Sequence, residues 1–181
     1  MKNSYLKSIY ILFVAAVFIS CDNKQSLQEY YIEKQEDGNF ISLDIPASIF
    51  SLKEGVSQES KEILSSLKKV NILAFQINEA NKPAYSIENS KIKEIIKGDS
   101  FNELIRGTHK NIQFRVKYLG KENAIDEVIL YASDKEKGFV VARILGDNMN
   151  PEKIMQVVKD IEKMDKDNPV FSQLGDLLGG L

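Results

Sequence analysis

The residue with the clearest chemical potential is Cys21, the single cysteine of a chain of 181 residues. An unbroken apolar stretch of 11 residues, Ile9–Ile19, leads up to it, Ser20 stands directly before it, and polar residues follow at once. A helix needs about 20 apolar residues to span a bilayer, so the stretch is too short for that purpose. It has the length of a signal-peptide core, and we predict a signal peptide over residues 1–20 with the thiol at the cleavage point.

The segment that ends at Cys21 resembles a bacterial lipoprotein signal, although Phe18 stands where an aliphatic residue is usual. The resemblance implies a diacylglyceryl thioether on Cys21, removal of the preceding peptide and an acylated amino group, with palmitate among the acyl chains. Two or three acyl chains would hold the protein at a membrane, since each buried CH₂ contributes about 0.8 kcal/mol. The expected location is the bacterial envelope, with the outer membrane favoured over the inner. The alternative is an ordinary secretory signal, which would leave a free thiol.

The composition argues against most kinds of catalytic site. The chain is 43% hydrophobic and 28% charged, as expected for a folded protein of one domain, with one His, one Cys and no Trp. These residues cannot build a zinc cage, a histidine general base or a disulfide framework. A net charge of −2 gives no indication of a nucleic-acid partner, and no phosphate-binding loop is present. We therefore expect no enzyme, no cofactor and no bound metal.

Three polar features have ordinary structural interpretations. His109 lacks partner residues, and we expect it to be an exposed loop histidine. The acidic clusters Asp147–Asn150 and Asp165–Asn168 lack the spacing of a calcium loop, and helix ends and turns explain them. Asp126 and Glu127 are neighbours on a predicted strand, so their side chains point to opposite faces.

The end of the chain carries the one sequence feature suited to an interaction. Its apolar residues recur at helical spacing, and a stripe of this kind must be buried. It could pack on the second face of the protein's own sheet, which Val140, Ala142 and Ile144 would leave partly apolar, or against a partner protein, a second copy or lipid. The stripe consists of Val170, Phe171, Leu174, Leu177, Leu178 and Leu181.

The first elements after the signal are short. Ser26 and Glu29 have capping-box spacing, so residues 21–39 could be a free lipidated tether or could hold a short helix. The alternation that begins at Ile41 predicts a half-buried strand ending at Pro46. A helix from Ser57 whose apolar stripe ends with Leu67 and Val70 would follow. The next strand, Asn71–Ile77, is apolar on both sides, which predicts a central position in the sheet. A strand, a helix and a strand in this order suggest a right-handed crossover.

The second half of the chain predicts two helical pieces and an antiparallel meander. Residues 81–83 predict a loop, and a helix from Ser90 that ends at Gly98 follows it. A second helix begins at Ser100, which has capping-box spacing to Glu103, and buries Phe101, Leu104 and Ile105 before Gly107. The strict alternation from Ile112 to Tyr118 predicts a strand with one face in water. Later in the chain we predict two strands, Ile125–Ala132 and Phe139–Leu145, and a helix that starts at Asn150.

Together these elements predict a single two-layer α+β domain. Its sheet would be mixed but mostly antiparallel, with about five strands in the order β-α-β-α-β-β-β-α and helices mainly on one face. The predicted parts of the chain are the signal peptide 1–20, the tether 21–39, the α+β domain 40–166 and the amphipathic tail 167–181.

Several segments resemble a family of uncharacterised small lipoproteins from Bacteroides-like Gram-negative bacteria, a domain of unknown function. They are Leu27–Lys34, Phe40–Pro46 with Ile49–Leu52 behind it, and Gly138–Gly146. The resemblance implies an envelope location and supplies no catalytic or binding residues. Our hypothesis is a membrane-anchored, non-enzymatic binding or scaffolding protein whose partner is an envelope protein or a second copy. The alternatives are an envelope stress sensor and a hydrolase that uses neither metal nor His.

Overall fold

A computed structural model describes residues 24–49, 62, 65–98 and 100–150. Most of the helix expected from Ser57, the helix expected from Asn150 and the whole tail lie outside these ranges. In chain order the elements are α1 (Leu27–Lys34), β1 (Phe40–Pro46), a 3-10 helix (Ala47–Ile49), β2 (Leu67–Gln76), α2 (Lys82–Lys97), β3 (Asn102–His109), β4 (Ile112–Lys121), β5 (Ala124–Asp134) and β6 (Gly138–Met149).

The six strands form one sheet in the order β1-β2-β6-β5-β4-β3, and every neighbouring pair is antiparallel. The predicted α+β class and the meander of β4, β5 and β6 are confirmed. The expected crossover is wrong, because Pro46 at the end of β1 lies opposite Lys69 near the start of β2. The connection therefore returns to the same end of the sheet, whereas a parallel pair would need it to cross to the other end.

The strand β2 begins four residues before the predicted start at Asn71. Leu67 and Val70, which we expected to complete a helical stripe, belong to this strand instead. The run Val70–Phe75 is buried throughout, and β2 lies between β1 and β6. A strand buried on both faces reads as a continuous apolar run, so the predicted central position is confirmed.

The helix α1 shows that part of the predicted tether is ordered. The Ser26 hydroxyl accepts a hydrogen bond from the Glu29 N–H at 3.2 Å, and the Glu29 carboxylate accepts one from the Ser26 N–H at 2.8 Å. This capping box satisfies donors that the first helical turn leaves unpaired. Leu27, Tyr30 and Tyr31 are buried, so of the two options a packed helix is the correct one.

Both helices lie on the same face of the sheet, which we call the first face. Its centre is an aromatic group in which Phe75 stacks on Phe139 at 5.7 Å between ring centroids, and Phe40 meets Phe75 edge-on at 5.2 Å. Ile92 and Ile96 of α2 are fully buried in the same cluster. Helices mainly on one face were predicted. The expected division into two layers is not exact, because buried apolar clusters lie on both faces of the sheet.

The helix α2 begins eight residues before the predicted start at Ser90. The segment around Pro83 was expected to be a loop, but Pro83 lies in the first turn of the helix. Proline is well suited to that turn, because its missing N–H would have no helical partner there and its φ is already helical. The helix ends at Gly98, as predicted.

Residues 102–109 form strand β3, where we expected a helix that buries Leu104 and Ile105. This prediction is wrong, and β3 adds the sixth strand to the predicted five. It pairs along its length with β4, and Gly107 lies opposite Phe114. A β-carbon on Gly107 would come within 2.5 Å of the Phe114 ring. Gly107 therefore makes room for a ring across the hairpin and does not end a helix.

Four tyrosines packed on the first face, Tyr30, Tyr31, Tyr85 and Tyr131, have raised pKa values. Burial is the main cause for Tyr30, Tyr31 and Tyr131, and it raises the pKa of Tyr131 to about 12. A hydrogen bond from the Tyr30 hydroxyl to the Glu88 carboxylate, 2.8 Å long, further raises the pKa of Tyr30. These phenols stay protonated in the folded protein at a pH where the unfolded chain ionises them.

We expect Gly138→Ala to destabilise the protein by about 3 kcal/mol. Gly138 has a φ of +132°, and a β-carbon there would overlap the carbonyl oxygen of Phe75. Gly38→Ala is the matched control, because no atom lies within 4 Å of its would-be β-carbon. Urea unfolding measures both variants, and equal midpoints would contradict the described turn.

We expect the stability to fall as the pH rises above 10, the ordinary pKa of tyrosine. The folded-state pKa values are raised, so this contribution is complete below pH 10 and is lost as the pH rises towards the folded-state values. Urea midpoints between about pH 8 and about pH 11 measure the loss, which should be smaller in Tyr131→Phe. A flat profile, or an unchanged slope in the variant, would contradict the burial of these phenols.

Candidate functional site

The two sites predicted from the sequence lie outside the described residues. Cys21 precedes the first described residue, Lys24, and the tail from Val170 to Leu181 follows the last one, Asn150. Lipid attachment and the role of the tail therefore stay predictions. The described residues offer three other features: buried charges on the first face, the opposite face of the sheet, and its edges.

A buried ion pair links β5 and β6 on the first face. The Arg143 guanidinium donates from Nε and Nη2 to the two carboxylate oxygens of Glu127, at 2.6 and 2.9 Å. Its Nη1 donates to the Gln28 side chain of α1 at 3.3 Å. Asp126, the neighbour of Glu127, is exposed, so the two carboxylates do not share a site. The arrangement satisfies both buried charges and ties α1 to the sheet.

A second ionic group joins α1 to α2. The Lys34 ammonium lies 2.8 Å from the Glu88 carboxylate and 3.5 Å from that of Asp37. Burial lowers the pKa of Lys34, but its hydrogen bond and charge attraction to Glu88 outweigh burial and raise it overall. The ammonium is therefore held in its charged form between the two helices.

One predicted water-facing residue of β4 is buried instead. The Lys117 side chain is 6% exposed, and its ammonium donates to the carbonyl of Ile96 in the last turn of α2, at 2.5 Å. A cation at this position is favourable, because the last carbonyls of a helix lack partners and carry partial negative charge. The expectation that this face of β4 meets water is wrong at Lys117, because the end of α2 covers it.

Each of these polar groups forms hydrogen bonds within the fold. Among the described residues, every buried side-chain nitrogen and oxygen has a hydrogen-bond partner. The described chain also contains no group of three or more His, Cys, Asp or Glu residues arranged to hold a metal ion. The charges of the first face therefore serve to fix α1 and α2 on the sheet.

The second face, opposite the helices, is apolar on strand after strand. We expected an apolar surface here from Val140, Ala142 and Ile144, and these side chains belong to a larger cluster. No residue of α1 or α2 belongs to this cluster. This is the surface on which the predicted tail would pack if it binds its own domain. The other residues of the cluster are Ile45, Val70, Ile72, Ala74, Leu43 and Ala132.

The edge strand β3 is the most exposed part of the described sheet. Among the described strands it pairs with β4 alone, and all of its residues except Gly107 are exposed. Leu104 and Ile105 expose 40% and 37% of their surface. The outer edge of such a strand presents backbone N–H and C=O groups that can pair with another strand. Exposed apolar side chains therefore occur on a strand whose outer edge pairs with no described strand.

A bulge divides β3 into two parts. Glu103 lies opposite Lys117 and Ile105 lies opposite Val116, so Leu104 is an extra residue between two consecutive positions of β4. Glu103 and Arg106 form a surface ion pair at 3.5 Å on the same strand. The edge thus carries an acidic and a basic side chain on either side of its two apolar residues.

His109 and the first acidic cluster have no site geometry. His109 is exposed, as expected, but it ends β3 and is not in a loop. Asp147 and Asn148 lie in the last residues of β6, where we expected helix ends and turns, while Asp165–Asn168 falls outside the described residues. Within the described part of the chain, no helix is long and apolar enough to cross a membrane.

Ser100 and Glu103 have capping-box spacing, and this local pattern predicted a helix where the β3 edge lies. A signal for a hairpin was present further on. Lys110 and Asn111 are the only residues between the paired His109 and Ile112, and they directly precede the clearest alternation in the chain. Two polar residues at such a point are typical of a tight turn between two strands.

No curated protein and no solved structure shows significant similarity to this chain. Residues 30–157 match the family described as Domain of unknown function (DUF4252), and the match runs from within α1 through all six strands. Since it covers well over half of the chain, the protein belongs to the DUF4252 family.

Proposed function

We propose that this protein is a lipid-anchored protein of the bacterial envelope that binds or scaffolds another envelope component. The anchor would be Cys21, and the contact would involve the exposed edge of the sheet. The observation that carries the proposal is local: an apolar stretch of signal-peptide length, small Ser20, the only cysteine and an abrupt change to polar residues occur in that order.

The position of α1 supports an anchor close to the domain. Only Asp22 to Gln25 separate Cys21 from the capping residue Ser26. The five residue steps from Cys21 to Ser26 span at most about 18 Å when fully extended. An acylated Cys21 would therefore keep the start of α1 near the lipid surface, which restricts how the sheet can be presented.

The features of the domain support binding in preference to catalysis. The buried charges Glu127 and Lys34 are paired within the fold with the partly buried Arg143 and Glu88. The exposed feature is β3, an edge with apolar side chains and available backbone groups. Strand edges of this kind bind other strands through main-chain hydrogen bonds.

Metabolic labelling with an alkyne analogue of palmitate tests the anchor in the native host. We expect the wild-type protein to carry the label and Cys21→Ser to lose it completely, because the thioether and the acylated amino group both depend on that residue. Ser20→Ala is the matched control, since it keeps a small residue before the cysteine. An unlabelled wild-type protein, or a labelled Cys21→Ser variant, would overturn the proposal.

We further propose that the tail packs on the second face of its own sheet. The tail follows β6, a strand at the middle of the sheet whose second-face residues Val140, Ala142 and Ile144 are apolar. Six apolar residues at helical spacing would match a surface of that width and character.

Replacing two leucines of the tail tests this packing. We expect Leu174→Ser with Leu178→Ser to lower the free energy of unfolding by about 2 kcal/mol or more, because buried leucines are lost. The control, Gln173→Ser with Asp176→Ser, changes two polar residues of the same segment and should leave the stability unchanged. If the leucine variant unfolds at the wild-type midpoint, the tail does not pack on the domain.

A further inference from the structure

The exposed edge of β3 is complementary to itself. We propose that two copies of this protein pair antiparallel through β3, with Leu104 of one copy opposite Ile105 of the other. This deepens the proposed scaffolding function by naming the partner as a second copy. The pairing rests on the proposed function in one respect, because attachment to a shared membrane would raise the concentration of one copy around the other.

The bulge selects this register. Opposed residues of an antiparallel pair must point to the same face of the sheet. In a regular strand, residues of odd and even number point to opposite faces, so an odd residue could not lie opposite an even one in a symmetric pair. The extra residue Leu104 reverses this alternation in the middle of β3. An odd residue can therefore lie opposite an even one in a symmetric pair, provided that the two-fold axis passes through the bulge.

The residues on either side of the bulge agree with that register. Glu103 and Arg106 lie opposite Lys117 and Arg115 of β4, so both belong to the first face. Asn102 and Gly107 lie opposite Tyr118 and Phe114, so both belong to the second face. In the proposed pair Glu103 faces the partner's Arg106 and Asn102 faces the partner's Gly107. Each opposed pair is thus on one face.

Charge complementarity favours the same arrangement. The Glu103 and Arg106 side chains are 38% and 66% exposed, so they are available to a partner. Two-fold symmetry would create two identical ion pairs, one at each side of the axis, and opposite charges across strands are stabilising. Leu104 and Ile105 would cover the corresponding residues of the other copy at the centre.

The resulting assembly suits a protein that is held at a membrane. Opposed residues on one face require a two-fold axis perpendicular to the sheet, which places α1 and α2 of both copies on the same side. Both chains would then enter their domains from that side, so both anchors could reach one lipid surface. Confinement to that surface would raise the effective concentration of one copy around the other.

Charge exchange across the proposed pair is the direct test. Sedimentation velocity would measure self-association of the full acylated protein in detergent. We expect the wild type to dimerise and Glu103→Arg or Arg106→Glu alone to weaken the dimer about tenfold or more, because each places like charges opposite one another twice. The double variant should recover the wild-type affinity. Lys68→Glu, a charge reversal on β2 away from the β3 edge, should leave it unchanged.

A wild-type protein that stays monomeric at every concentration would overturn the pairing, as would single variants that the double variant does not rescue. Circular dichroism would check that each variant is folded. Oxidative crosslinking provides a second measurement: Ile105→Cys lies next to the axis and should give disulfide-linked dimers, whereas Lys110→Cys should not. The mass of the same preparation separates the two proposals. An acylated monomer overturns the pairing alone, and a dimer without acyl groups overturns the anchor alone.

Discussion

The structure depends on the burial of the first face of one antiparallel sheet beneath two helices. Phe40, Phe75 and Phe139 bring β1, β2 and β6 together under α1 and α2, and the side chains around them are almost completely buried. Charged groups surround this aromatic centre, and each has a partner that fixes a helix in place. Because apolar burial is non-directional, these paired charges give the helices a defined position on an otherwise adaptable surface.

Local patterns in the sequence identified much of this architecture. The capping box at Ser26, the alternation after Ile41 and the buried run ending at Phe75 all correspond to observed elements, since each pattern reflects contacts between near neighbours or one repeated environment. The wrong predictions concern segments whose secondary structure depends on pairing with a strand distant in sequence. Residues 102–109 contain both helix and strand signals, and their pairing with β4 determines which one prevails.

The candidate sites differ in the same way: one depends on a local pattern, and the others depend on pairing between distant strands. The pattern at Cys21 is contiguous, so a prediction about it can be made from the chain alone. The exposed edge at Leu104 and the pair between Arg143 and Glu127 depend on which strands become neighbours. No spacing rule relates residue 143 to residue 127 unless the meander and its register are known. The DUF4252 match likewise covers most of the described domain and assigns no role to any residue.

A lipid anchor and a strand edge would act together: an acyl group would hold the domain at a surface, and β3 would hold two domains together. The central claim is the covalent lipid, and the intact mass of the mature protein isolated from its native host tests that claim most directly. The account predicts a chain that begins at Cys21 and is heavier than its peptide mass by a diacylglyceryl group, with or without an additional acyl group. A mature chain with an unmodified Cys21, or one that begins elsewhere, would contradict it.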